Sequence, residues 1–270
     1  MRRVRLSELA EVAVEAAAAG GAVVRGRGPS GVRLKAAGDY VSEVDRASEA
    51  AVAEVLRARG AGVPILAEEA GGPRDAERYW AVDPLDGTTN YLHGFPAVGV
   101  SVALVEAGEP VVGVVHAPLL EGATWVGWKG GGAWLGSERQ TVSSRPVAEA
   151  VLGTGFPFRR KDSLPRYLAM FQGAFERFED LRRPGAAALD LSWVAAGVFD
   201  GFFELSLGPW DVAAGALLIR EAGGVVTDWE GHEDGFLASG NILAGPPGVH
   251  EELLSLASSS SSSSSDVSAT

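Results

Sequence analysis

The chain has 270 residues, 46% of them hydrophobic, with a formal net charge of −12. That is enough apolar material for one large core or two small ones. The negative surface repels nucleic-acid phosphates and argues against a nucleic-acid partner. With no cysteine, disulfides and thiolate chemistry are excluded, which suits a reducing cytoplasm, the expected location.

The N-terminus is basic at Arg2, Arg3 and Arg5, but Glu8, Glu11 and Glu15 interrupt any apolar core of a signal peptide. No run approaches the ~18 apolar residues of a membrane span, so no membrane partner is expected. Leu6, Leu9, Ala13 and Ala16 recur at helical spacing and predict a helix over 6–19. Arg25 to Gly38 is basic, rich in glycine and without period. It reads as a mobile loop with Lys35 near its end. A second helix is expected over 42–59, with Val44, Ala47, Ala51, Val55 and Ala58 on its apolar face and Gly60 beyond its end.

The texture then changes. Residues 63–67 and 79–82 read as short buried strands, and each runs into acid: Glu68-Glu69 after the first, Asp83 after the second. Residues 98–105, 111–116 and 124–128 are rich in β-branched side chains with short connections, as in an antiparallel meander. Helices are expected over 164–178, 186–199 and 212–222, and strands over 202–205, 225–228 and 241–244. The mixture is α/β (α+β). The serine run 258–265 offers no apolar surface to bury and is expected to be disordered. The organisation expected is one domain over 1–256, with a possible division near 150 between a half bearing most of the acids and a C-terminal half, and a tail over 257–270.

The chemistry concentrates in Trp80-Ala81-Val82-Asp83-Pro84-Leu85-Asp86-Gly87-Thr88-Thr89-Asn90. An apolar run ends in two carboxylates, a glycine, two hydroxyls and an amide. Two acids this close repel each other unless a cation lies between them. The glycine and threonines offer amides and hydroxyls to an anion. A cation site beside an anion site is the layout for hydrolysing a phosphate ester, where Mg²⁺ neutralises charge and activates water. A metal pair ~3.5–4 Å apart can clamp both the attacking and the leaving oxygens. Asp83, with Asp86 one turn beyond, suits a bridging position, and Pro84 leaves the Leu85 carbonyl to face inward as a neutral ligand. Taken alone, each acid has a plainer reading: Asp83 and Asp86 as turn residues, Asp211 as a helix cap, Ser42-x-x-Asp45 as a capping box, Glu68-Glu69 as a solvated loop. Each of Glu68, Asp83, Asp86 and Asp211 nevertheless stands at the mouth of an apolar segment. His93 and His116 lack metal-ligand spacing and are expected to be structural, as are Trp80 and Trp210.

These residues resemble the inositol monophosphatase family of Mg²⁺-dependent, lithium-sensitive phosphatases. The stretch 80–90 resembles its first signature. Trp210-Asp-Val-Ala-Ala-Gly215 with Glu221-Ala-Gly-Gly224 resembles the second. Asp39-Tyr-Val-Ser-Glu-Val-Asp45 and Leu66-Ala-Glu-Glu69 resemble two shorter motifs. The resemblance implies a layered αβαβα sandwich, a homodimer, and a small-molecule phosphate ester as substrate, inositol 1-phosphate first. It implies that Glu68, Asp83 and the Leu85 carbonyl hold one Mg²⁺, that Asp83, Asp86 and Asp211 hold a second, and that Glu68 shares a third. It implies Mn²⁺ as a substitute and Ca²⁺ and Li⁺ as inhibitors. Thr88 would bind the attacking water with Asp45 as its partner, and Glu68 would share the catalytic work. The amides of Gly87 and Thr88 would grip the phosphate. Asp86, Ala187 and Glu204 would contact the alcohol, with Lys35 over the site. Ala67 stands where the family has glycine, Ser42 where it has threonine, and Ala186 where a hydroxyl is common. Arg182 and Arg183 could reach a second phosphate, which would favour fructose 1,6-bisphosphate, although arginines at this spacing are more commonly surface residues; adenosine 3′,5′-bisphosphate remains a further candidate.

Two other classes compete. Haloacid-dehalogenase phosphatases also carry an acid-rich strand end, but their nucleophilic aspartate stands two residues before the second acid. Here the spacing is three, with proline between. A non-catalytic metal- or sugar-phosphate-binding protein would not need Thr88 and Asp45.

Overall fold

The computed structural model describes residues 5–27, 33–36, 39–158 and 160–262, with backbone alone for 33–36, 39–41 and 260–262. In chain order the elements are α1 (Leu6–Gly26), β1 (Arg33–Ala36), β2 (Asp39–Val41), α2 (Glu43–Arg59), β3 (Ile65–Ala67), β4 (Arg78–Asp86), α3 (Thr88–Leu92), β5 (Gly99–Glu106), β6 (Glu109–Ala117), β7 (Ala123–Trp128), β8 (Gly132–Leu135) and β9 (Glu138–Gln140). They continue with β10 (Val151–Thr154), α4 (Leu164–Arg177), β11 (Asp180–Arg182), α5 (Ala187–Ala195), β12 (Gly201–Glu204), α6 (Pro209–Glu221), β13 (Val225–Thr227), α7 (Phe236–Ser239), β14 (Ile242–Gly245) and α8 (Pro247–Ser262).

Five layers result, as the resemblance implied. A seven-stranded sheet runs in the order β3-β4-β5-β6-β7-β8-β9, parallel only between β3 and β4. The meander expected over 98–128 is its centre. Helices α1 and α2 cover one face, burying Leu9, Ala13, Val44, Val52, Trp80 and Val102. Helices α5 and α6 cover the other and are shared with a five-stranded sheet, β11-β10-β12-β14-β13. Helices α4 and α8 form the outermost layer over that second sheet, around Tyr167, Met170, Phe203 and Leu253. The middle layer is thin because its residues are small. A Cβ on Gly113 of β6 would lie 2.8 Å from the Ala214 carbonyl of α6, so sheet and helix meet backbone to backbone.

Several expectations shift. Helix α1 does not stop at 19 but runs to Gly26. Gly20 lies inside the helix at a close approach: a Cβ there would meet Ser48 Oγ of α2 at 2.7 Å. The supposed loop over 25–38 contains β1, paired antiparallel with β2; residues 28–32 and 37–38 lie outside the described residues. The serine run also differs in part. Ser258–Ser262 continue α8, and Ser258 Oγ and Ser259 Oγ donate back to the Leu254 and Ser255 carbonyls. The remainder of the run lies outside the described residues. Strands β8 to β11 and helix α8 had no counterpart in the sequence reading. Among the described residues no helix is long and apolar enough to cross a membrane.

Candidate active site

Strand β4 continues past Asp83 to Asp86, with its register to β5 broken between those residues. Pro84 contributes no N–H to the ladder, so the strand bends there. Asp83 Oδ1 accepts from the Leu85 amide at 2.9 Å, closing the turn. Gly87 follows with φ +87°, a left-handed backbone, and a Cβ there would stand 2.9 Å from the Ala97 carbonyl. Only glycine meets both conditions. The chain then enters α3 at Thr88.

Asp211 arrives from a different layer. It is the third residue of α6 rather than a residue before it, and its Oδ2 accepts from the Gly208 amide at 2.6 Å. Oxygens of Asp83, Asp86 and Asp211 lie within 4.8 Å of one another, and all three side chains are buried. Burial pushes the Asp83 carboxyl well above the usual carboxylate range. The charges of Glu68, Asp86 and Asp211 push it further. Three converging buried carboxylates with only oxygen donors suit a hard divalent cation.

Helix α2 supports this centre from below through one row of polar side chains. Ser42 caps the helix, and Asp45 Oδ2 accepts from the Ser42 amide at 2.8 Å and from its hydroxyl, the capping box read from the sequence. The other oxygen, Oδ1, accepts from the Thr88 hydroxyl at 2.9 Å; the alternative acceptor for that proton is the Leu85 carbonyl at 3.2 Å. Ser48 donates to the Pro84 carbonyl at 2.7 Å. Glu49 accepts from the amides of Glu69 at 2.9 Å and Ala70 at 3.1 Å, fixing the turn that carries Glu68. Sequence reading missed Ser48 and Glu49. The available signal was three polar residues at helical spacing among buried Val44 and Val52.

A cavity of about 290 Å³ joins these parts, lined by Glu68, Asp83, Leu85, Asp86, Gly87, Thr88 and Asp211. Ala187 and Glu204 line it as well, and the Ala188 amide at the start of α5 donates to Asp86 Oδ2 at 2.7 Å. Lys35 is in β1, and its side chain lies outside the described residues. The two arginines separate: Arg182 pairs with Asp180, whereas Arg183 lines the cavity. His116 is buried against α1 and its Nδ1 meets Thr124 Oγ1 at 2.8 Å, far from any metal-ligand role. Trp80 is fully buried with its Nε1 donating to the Gly60 carbonyl, and Trp210 lies under Arg74.

The model of the inositol monophosphatase family matches residues 5–262. The chain belongs to the inositol monophosphatase family. An inositol-1-monophosphatase from Mesorhizobium japonicum is 42% identical over 227 residues, 83% of this chain and 84% of that one. A putative Nus factor SuhB from Neisseria meningitidis serogroup B is 44% identical over 227 residues, 83% of this chain and 86% of that one. Among solved structures, inositol monophosphatase from Anabaena superposes with a TM-score of 0.83 at 38% identity, covering 94% of this chain and 96% of the other. The described residues have the family's fold, and the family supports a phosphatase.

Proposed function

We propose that this inositol monophosphatase family member is a Mg²⁺-dependent phosphomonoester hydrolase acting on a small polyol or sugar phosphate, inositol 1-phosphate first. The observation that carries the reading is the pair Thr88 and Asp45, 2.9 Å apart beside the carboxylate cluster. A binding protein needs the cluster but not a polarised hydroxyl. Glu68, Asp83 and the Leu85 carbonyl would hold one Mg²⁺, and Asp83, Asp86 and Asp211 a second. When bound, the metals supply charge neutralisation for the phosphate and a water acidic enough to attack at neutral pH.

The chain's own groups do the positioning. Asp45 takes the Thr88 proton in a hydrogen bond, so that Thr88 Oγ1 presents a lone pair to the water. The amides of Gly87 and Thr88 bind phosphate oxygens. Ala187 and Glu204 face the alcohol. The water attacks phosphorus in line with the leaving alkoxide, and no phospho-enzyme forms. The protein would work in the cytoplasm as a homodimer, tolerate Mn²⁺, and be inhibited by Ca²⁺ and Li⁺.

A screen of phosphomonoesters with Mg²⁺, repeated with Li⁺, tests the class. Asp83→Asn should lower turnover of inositol 1-phosphate by at least ~10³-fold, the loss of several kcal/mol of metal-borne stabilisation. Near-normal turnover of that variant at saturating Mg²⁺ would sink the assignment. Relatives bearing the name Nus factor favour a second, additional role of that kind. Asp83→Asn should retain that role, because the fold does not need the reaction.

A further inference from the structure

Trp210 precedes Asp211 in the first turn of α6, and three segments of the site meet on it. The first is β5. Ser101 is the register partner of Asp83 on the neighbouring strand, so the two side chains share one face of the seven-stranded sheet. Ser101 is fully buried, and its hydroxyl donates to the Trp210 carbonyl at 2.8 Å. The second segment is the chain after β3. Ala67 and Gly71 exchange backbone hydrogen bonds at 3.0 Å, which closes the turn carrying Glu68. Beyond that turn the Arg74 guanidinium lies over the Trp210 ring, 5.6 Å from its centroid. The third segment is the start of α6 itself. A Cβ on Gly208 would stand 2.5 Å from the Trp210 indole. The ring thus folds back on the residue whose amide donates to Asp211 Oδ2 at 2.6 Å.

Trp210 Nε1 is buried and has no partner among the described residues. The residue is therefore held by its ring and its carbonyl, not by its N–H. A fully buried hydroxyl needs a partner, and the one Ser101 meets lies on α6 rather than on its own sheet. That bond ties the strand beside Asp83 to the residue before Asp211. Arg74 is exposed, and a guanidinium near a cation site opposes cation binding through its charge. Any gain in metal affinity from Arg74 must come through its contact with the ring.

We propose that Trp210 is a positioning residue for the metal centre, and that Ser101 and Arg74 act through it to hold the Glu68 turn and Asp211 at the spacing a divalent cation requires. This rests on the phosphatase reading above and adds how the ligands of that site are held in place.

The test is Mg²⁺ binding to the full chain by titration calorimetry without substrate, beside turnover of inositol 1-phosphate by the same proteins. Ser101→Ala should raise the Mg²⁺ dissociation constant about tenfold, the scale for groups that orient ligands. Arg74→Ala, at an exposed position, should raise it about threefold, the worth of one exposed cation–π contact. Arg74→Lys should recover part of that loss. The double variant should lose less than the product of the two, because both act on one indole. Arg177→Ala removes the same charge from the outermost layer, where Arg177 pairs with Glu252, and should leave the constant unchanged. An unchanged or lower dissociation constant in either Ser101→Ala or Arg74→Ala overturns the inference. A lower Tm of the metal-free variant with an unchanged constant does the same, since it marks a purely structural role. Either result beside normal wild-type turnover removes the positioning role alone. Absence of both Mg²⁺ binding and turnover in the wild type removes the phosphatase reading, and the positioning role with it.

Discussion

At the scale of single residues, the centre is built by forcing acids together, and two side chains make the consequences measurable. Thr88 is one. Removing its hydroxyl leaves Asp45 and the carboxylate cluster in place, so Thr88→Ala should lower kcat about 10²-fold with a smaller change in KM. A rise in KM alone would show that Thr88 serves binding. Asp190 is the other. It is buried on α5 with Oδ1 unpartnered, and burial, then the charges of Glu204 and Asp86, raise its carboxyl well above the usual range. A raised folded-state pKa means the folded protein holds a proton that the unfolded chain gives up near the ordinary value of ~3.9. Stability is therefore lost as pH rises through the window above that value. Asp190→Asn keeps the shape and removes the titration. Its Tm should exceed the wild-type Tm at pH 7, and the gap should close as pH falls toward ~4. A gap independent of pH would refute this account. The Asp83 and Asp86 pair was legible in the sequence because the acids are three positions apart. Asp190 was not, because burial between two layers leaves no mark on a helix of small residues.

At the scale of elements, α2 is the support on which two turns rest. Asp45, Ser48 and Glu49 each reach a different part of the 68–88 region. Removing the Glu49 carboxylate frees two amides of the turn after β3 and lets Glu68 wander. Glu49→Ala should raise the Mg²⁺ concentration for half-maximal activity about tenfold, the usual scale for groups that orient ligands. An unchanged Mg²⁺ dependence would mean that Glu68 is held by other means. The limits of sequence reading are clearest at this scale. The period of Val98 to Trp128 announced the meander, since each strand pairs with its neighbour in the chain. Strand β10 hid because its partners, β11 and β12, come later in the chain. Helix α8 has Val249, Leu253, Leu256 and Ala257 at helical spacing, but the serines after them masked it. Its last turns form because they extend a helix already docked on the second sheet. The carboxylate of Asp211, read as a cap, reaches back to Gly208 from inside the helix; Pro209 is the true start.

At the scale of the whole molecule, the site joins layers. Asp83 and Asp86 come from the seven-stranded sheet, Asp45 from the helices on its outer face, and Asp211 from the helical layer shared with the second sheet. Bringing these acids together in a buried site costs desolvation first and mutual repulsion second, and both raise the Asp83 pKa. A divalent cation would offset that repulsion only in the folded state. Mg²⁺ at a hundred times its dissociation constant should then add about 2.7 kcal/mol of stability, or roughly 5–10 °C in Tm for a chain of this size. Burial and the neighbouring charges favour the protonated Asp83 carboxyl, whereas a bound cation favours the ionised one. Binding is therefore linked to proton release, and the Mg²⁺-dependent rise in Tm should be larger at pH 8 than at pH 5. Asp83→Asn has no proton to lose and one ligand charge fewer, so its rise should be small and flat with pH. Differential scanning calorimetry of the two proteins, with and without Mg²⁺ at both pH values, provides the comparison. An equal rise in wild type and variant would show that the cation acts elsewhere on this acidic surface, and would detach the carboxylate cluster from metal binding.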